Sequence, residues 1–321
     1  MSPRSVLVTG SGGFVGYHLC RALAAGGWRV VAARRQNRAT DSISGVAGVY
    51  LPLSSAEENW QNALKSVQCI VHLAARVHQL GSAGKAAAAY REVNVQGTRF
   101  AAEQAQRAGV RRFVFLSSIK VNGEGGSLRP YRADDPPNPQ DAYAQSKLEA
   151  EEMLREFCRR GGMELVIIRS PLVYGPGVRA NFHRLLKLAA LGLPLPFRSI
   201  GNRRSLISIW NLVHFIESGV SHPAAAGDTW LISDGEDLST PDLLARLARL
   251  MHRPDRLFAF PPRILRRAAA LLGLGAEMSR LCDSLVVDST PAQTRLNWRP
   301  GIGVDEGLAR TVQAFRAERN R

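Results

Sequence analysis

The side chains best suited to chemistry in this chain are Tyr143 and Lys147, in Tyr143-Ala-Gln-Ser-Lys147. Four residues apart where a helical pattern begins, phenol and ammonium share one face. A neighbouring cation stabilises phenolate, so the pair is expected to draw the phenol pKa down from about 10 and make Tyr143 a proton donor or acceptor. Ser117 and Ser118 stand at the carboxyl end of the apolar strand that precedes this helix, where reactive groups of a parallel sheet collect. A Ser118 hydroxyl placed there can hydrogen-bond a reacting oxygen beside the phenol.

A second set of residues could hold a cofactor. Val6-Leu-Val-Thr-Gly10-Ser-Gly12-Gly13-Phe14-Val15-Gly16 sets glycines at i, i+3 and i+6 between an apolar strand and a helix. This spacing lets backbone approach a pyrophosphate, whose charge then rests on the free N–H groups that open the helix. A dinucleotide site is therefore expected. NAD sites place a carboxylate at the end of the second strand, to accept the adenosine ribose hydroxyl. Here that strand ends Val30-Val-Ala-Ala33-Arg34-Arg35. Without an acid, and with guanidiniums that suit a 2′-phosphate, NADP(H) is expected ahead of NAD(H).

The elements that must position these groups alternate through the first half. Strands are expected at Ser5–Thr9, Arg29–Ala33, Cys69–Ala74, Arg112–Ser117 and Glu164–Ser170. Helices are expected at Gly13–Ala25, Ala56–Leu64, about Ala86–Ala108 and Ala142–Arg160. Short apolar strands joined through amphipathic helices give an α/β, doubly wound parallel sheet of Rossmann type. After Tyr174-Gly-Pro-Gly177 the rhythm breaks into a helix (Asn181–Leu191), a Gly/Pro-rich stretch and a strand-like Ser205–Ile209, and helices dominate from Thr240. Residues 1–174 are thus expected to form the dinucleotide-binding domain, with 204–234 returning to it. Residues 175–203 and 235–321 are expected to form a smaller, mainly helical substrate-binding lobe. Arg263–Leu274 is basic on one side and apolar on the other; it reads as a lobe helix buried on its apolar face, with contact to a membrane surface as the alternative.

Composition narrows the partners. With 321 residues, 45% hydrophobic and 21% charged, the chain can bury a full core. Its net charge of +15 is spread as scattered arginines without a basic run, which argues against nucleic acid and suits an acidic substrate. Cys20, Cys69, Cys158 and Cys282 lie far apart, and neither they nor the histidines show metal-ligand spacing. His72 reads as a structural residue, and the five tryptophans as core. No export signal or membrane-spanning run is expected, which with reduced thiols points to the cytoplasm.

Taken together, several ordered motifs resemble the extended short-chain dehydrogenase/reductases of the NAD-dependent epimerase/dehydratase family, nearly end to end. They are Thr9–Gly16, His72-Leu73-Ala74-Ala75, Asn94-Val-Gln-Gly-Thr98, Ser117-Ser118-Ile-Lys120-Val121-Asn122-Gly123, Tyr143–Lys147 and Arg169-Ser-Pro171-Leu-Val173-Tyr-Gly-Pro-Gly177. The resemblance implies a catalytic triad of Ser118, Tyr143 and Lys147, with Tyr143 and Lys147 also touching the nicotinamide ribose. It implies cofactor contacts from Leu73, Ala74, Ala75, Asn94, Ser117, Pro171 and Val173, beside the glycine turn and Arg34 and Arg35. It implies a UDP-sugar substrate met by Lys120, Val121, Asn122, Asn181, Arg204 and Arg280, with Arg203 as an alternative to Arg204. It also implies a homodimer that packs helices Ala86–Ala108 and Ala142–Arg160. Asn122 departs from the usual tyrosine, and Arg34 from the usual acid.

Three functions compete on these residues. The first is NADPH-dependent reduction of the C4 ketone of a UDP-4-keto-6-deoxy-N-acetylhexosamine, for bacterial surface polysaccharide. The second is a UDP-hexose or UDP-N-acetylhexosamine 4-epimerase that keeps NAD bound. The third, from another class, is a sensor that binds the dinucleotide without chemistry. Arg34 favours the first.

Overall fold

The computed structural model describes residues 4–35, 43, 45–53, 56–77, 83–127 and 129–319. Strand β1 (Ser5–Thr9) leads into α1 (Phe14–Ala25), followed by β2 (Arg29–Arg34), β3 (Val46–Tyr50), α2 (Glu57–Ala63) and β4 (Cys69–His72). Then come α3 (Ala83–Tyr90), α4 (Gly97–Arg107), β5 (Arg112–Ser118), α5 (Ala142–Gly161), β6 (Glu164–Ser170), β7 (Leu172–Tyr174) and α6 (Ala180–Leu191). The chain continues with β8 (Arg204–Ser208), α7 (Ile209–Ser221), β9 (Thr229–Leu231), β10 (Asp237–Leu238), α8 (Thr240–Leu250), α9 (Pro262–Leu271), α10 (Gly275–Cys282), α11 (Thr290–Leu296) and α12 (Val304–Arg319).

Seven strands form one parallel sheet in the order β3-β2-β1-β4-β5-β6-β9. Alternation along each strand feeds two cores. Val6, Val8, Val114, Val166 and Ile168 face one side, under α1 and α7 with Trp230 and Trp298. Leu7, Ile70, Phe113, Phe115 and Ile167 face the other, under α2, α4 and α5 with Trp60. Being covered on both faces is why these strands read as unbroken apolar runs. The edge strand β3 has no counterpart in the sequence pattern, because three of its five residues are exposed and Gly48 interrupts it. A second sheet, β10-β8-β7, supports the lobe, whose core joins Phe182, Leu186, Leu243, Leu247, Leu308 and Phe315.

Several buried polar groups tie these parts together. The Arg112 guanidinium pairs with Glu164 at 2.6 Å and donates to the carbonyls of Gly219, Val220 and His222 at the end of α7. The Asp234 carboxylate accepts from the Ser208 N–H, from Asn211 and from the Tyr174 hydroxyl at 2.7 Å, joining β8 and α7 to the start of the lobe. All four cysteines are free, and burial pushes the Cys20 and Cys69 thiols up to about 12.

Candidate active site

The glycine turn and the segment after β4 are built against each other. Gly10 has φ +67°, a left-handed conformation that suits glycine, and a Cβ there would stand 2.8 Å from the Ala74 nitrogen. A Cβ on Gly16 would collide with the Gly10 carbonyl, so α1 can begin directly behind β1 only with glycine at that position. Ser11 ties the turn to β2 by donating to the Ala33 carbonyl at 2.9 Å. Gly12 and Gly13 are exposed, and Phe14 and Val15 are half-buried. Gly13 opens α1 without a capping side chain, and the first turn carries no acid. A pyrophosphate therefore fits here, since uncapped N–H groups and the positive helix end meet no competing carboxylate.

On the other side of the turn, Leu73 packs under α1, and Ala74 and Ala75 are half-exposed. The Ala74 N–H donates to Thr9 Oγ1, which also bonds His72 Nδ1, while His72 Nε2 meets Thr98 Oγ1. His72 is thus a satisfied, fully buried structural residue; burial, aided by Lys147, lowers its pKa to about 3. Asn94 lies in a π-helical turn, Arg91–Gln96, between α3 and α4. Its carbonyl accepts from the Arg76 N–H at 2.8 Å. Its amide donates to the Arg76 carbonyl at 3.1 Å and to Ser146 Oγ at 2.9 Å. Ser146 in turn donates to the Tyr143 carbonyl at 2.7 Å. Asn94 therefore fixes the post-β4 segment against the helix that bears the phenol.

Ser118 ends β5, and Tyr143 and Lys147 stand one turn apart on α5. Ser118 acts on the Tyr143 phenol, favouring its ionisation, and the ring of Tyr90 packs edge-on at 6.0 Å. The Lys147 amine is buried, donates to the Leu116 carbonyl at 2.8 Å and sits 4.4 Å from the centre of the Phe115 ring. Burial lowers its pKa to about 8, with Glu151 opposing. The phenol behaves opposite to the expectation of a lowered pKa. Burial first, then the Asp141 carboxylate and Tyr90, raise it, and the Ser118 hydrogen bond offsets only part. Desolvation of phenolate dominates, and the Lys147 amine is turned toward the Leu116 carbonyl.

Asp141 is a site residue that motif reading missed. It caps α5, accepting from the Ala144 N–H at 2.7 Å, and pairs with Lys120 at 2.6 Å. Burial acts to raise its pKa, but Lys120 and that N–H hold the carboxyl below its ordinary value. The signal for it was an aspartate at the N-cap, two residues before the phenol.

Other expected site residues divide. Lys120 bridges Asp141 and Glu124. Val121 is fully buried, and Asn122 is buried while bonding the Arg132 carbonyl and Arg169. Their side chains are taken up by packing and by the bonds to Arg132 and Arg169. The Ser117 side chain, one residue out of phase with Ser118, turns to Glu151, which holds Arg169 in a buried bidentate pair. Its hydroxyl thus serves the scaffold. Pro171 is buried, and Val173 is half-buried behind α1. Asn181 lies half-buried in the first turn of α6. Arg204 is largely buried and donates to the Asp283 carbonyl at 2.8 Å; burial lowers its pKa, with Asp283 and Glu124 opposing. Arg280 stands 3.8 Å from Glu124, so it shares this wall with Arg204. Arg203 is instead exposed and pairs with Asp237.

The family described as NAD dependent epimerase/dehydratase has a model that matches residues 6–231. The chain is 40% identical to a UDP-glucose 4-epimerase of Vibrio cholerae, over 99% of this chain and 98% of that protein. Among solved structures, MoeE5 in complex with UDP-glucose and NAD is 28% identical, with a TM-score of 0.77 over 98% of this chain and 99% of that one. A UDP-glucuronic acid 4-epimerase from Bacillus cereus in complex with NAD shares the fold at 21% identity and a TM-score of 0.80, over 98% and 99% of the two chains. Both solved proteins hold NAD, which overturns the preference for NADP(H) drawn from Arg34 and Arg35. The structure accounts for the misreading: Arg34 lies over the edge strand, its guanidinium carbon 3.8 Å from where a Gly48 Cβ would stand, and Arg35 is simply exposed. A match over most of the chain, and a relative alike from end to end, assign the protein as an oxidoreductase of the short-chain dehydrogenase/reductase type that belongs to the NAD dependent epimerase/dehydratase family.

Proposed function

We propose that the protein inverts C4 of a UDP-hexose or UDP-N-acetylhexosamine, with NAD as its resident cofactor. The observation that carries this reading is the likeness to the Vibrio cholerae UDP-glucose 4-epimerase across the whole of both chains. NAD, when bound, supplies a hydride acceptor that returns the hydride. Tyr143 Oη, ionised when it acts as the base, takes the proton of the C4 hydroxyl and later gives it back, and Ser118 Oγ holds the C4 oxygen beside it. Lys147 supplies positive charge one turn below the phenol, and Asn94 keeps the post-β4 segment in register with α5. Arg204, Arg280 and Asn181 hold the UDP diphosphate, and after oxidation the keto sugar turns so that hydride reaches its other face. Subunits pair through α4 and α5.

The test is incubation of the full chain and NAD with UDP-glucose, UDP-galactose and their N-acetylhexosamine counterparts, followed by proton NMR of the sugar. The reading expects C4 inversion that is lost in Tyr143→Phe. Inversion of none of these sugars would reject it.

A further inference from the structure

The hairpin of α9 and α10 buries one apolar edge and leaves another outside. Leu265, Met278 and Leu281 pack on the lobe core, and Ala269 is buried. On the opposite side Leu271 is 89% exposed and Leu272 75%, with Ile264 and Leu274 about half exposed. Ile264, Ala268 and Leu271 follow at i, i+4 and i+7, a single stripe that runs into the leucines of the turn. The reading of this helix as one buried on its apolar face therefore holds for only one of its edges. Clustered exposed leucines are uncommon on a monomer surface and mark contact with something.

Charge indicates what that something is. Arg263 and Arg267 flank the stripe on α9, exposed and without an acidic partner among the described residues. Asp255 and Asp283 are occupied by Arg198 and Arg266, and Glu277 is the only acidic residue within α9 and α10. In a symmetric pairing through this face, two such arginine clusters would be brought together in a chain already at +15. An anionic lipid surface accepts both features: leucines enter below the headgroups, and guanidiniums stay at the phosphates.

We infer that the α9–α10 tip docks the protein peripherally on an anionic lipid bilayer. Among the described residues no helix is long and apolar enough to cross a membrane, so the attachment is interfacial. This inference does not depend on which sugar is turned over.

Sedimentation of the full chain with vesicles tests it. One set is phosphatidylethanolamine with about one third phosphatidylglycerol, the other phosphatidylcholine alone. The anionic set is expected to bind roughly tenfold more protein, and to release it in high salt. A Leu271→Glu/Leu272→Glu variant, and separately Arg263→Glu/Arg267→Glu, is expected to lose that binding about tenfold while UDP-sugar turnover is unchanged. The inference is overturned by any of three results: no sedimentation with anionic vesicles, equal binding by wild type and both variants, or a dimer that the leucine variant dissociates.

Discussion

Burial governs the Tyr143 phenol and the Lys147 amine more than their mutual spacing does. The Tyr143 phenol is held protonated by desolvation and by Asp141, so removing that carboxylate eases its ionisation. Asp141→Asn keeps the helix cap and is expected to move the acid limb of the kcat/KM pH profile to lower pH; an unmoved limb would contradict this account. Tyr143→Phe should lower kcat by about 10³-fold, measured as C4 inversion. Lys147 carries a folded pKa of about 8 against an ordinary 10.5, so between those values the unfolded chain binds more protons and stability rises with pH. Below pH 8 the buried charge is a cost. Lys147→Met is thus expected to abolish turnover yet leave the melting temperature at pH 7 equal or higher; a clear drop would mean that its bond to Leu116 matters more than its desolvation. Spacing in the sequence located Ser118, Tyr143 and Lys147. It could not show the direction of the phenol shift, because burial depends on Tyr90 and on packing from outside the motif.

At the level of elements, the strands of the sheet were readable because apolar runs mark strands covered on both faces, and the glycine turn because its steric demand is local. What escaped was decided across the fold. The alternation that sends Ser118 to the cleft sends Ser117 to Glu151, and the Arg169–Glu151 pair absorbs Asn122. The strand expected over Cys69–Ala74 stops at His72, since Leu73–Ala75 must bend against Gly10. His72 itself sets an acid limit. Its pKa near 3 in the fold lies below the ordinary 6.5, so the unfolded chain takes up a proton first and stability falls as pH drops from about 6.5 toward 3. Thermal melts across that range should show a slope from this residue of up to about 1.4 kcal/mol per pH unit. His72→Gln should flatten the slope, and an unchanged slope would place the acid sensitivity elsewhere.

Across the whole molecule, the C-terminal ends of β1, β4 and β5 bring the glycine turn, the post-β4 segment and Ser118 to one edge, and Arg280 and Arg204 meet Glu124, whose partner Lys120 also pairs with Asp141. The existence of a lobe was legible from the break in rhythm after Tyr174. The cofactor was not, because a pair of arginines in an arginine-rich chain says little until the edge strand beneath Arg34 is seen. Arg204→Ala should raise KM for a UDP-sugar about tenfold with little change in kcat if it grips the diphosphate, whereas an equal fall in kcat would give it another role. The most direct test of the central claim is proton NMR of UDP-glucose or UDP-N-acetylglucosamine mixed with the full chain and NAD, with absorbance at 340 nm followed in parallel. The account predicts the C4 epimer accumulating to equilibrium with no net gain of NADH. A mixture in which no C4 epimer of any UDP-hexose or UDP-N-acetylhexosamine forms, or in which sugar oxidation consumes NAD mole for mole, would contradict it.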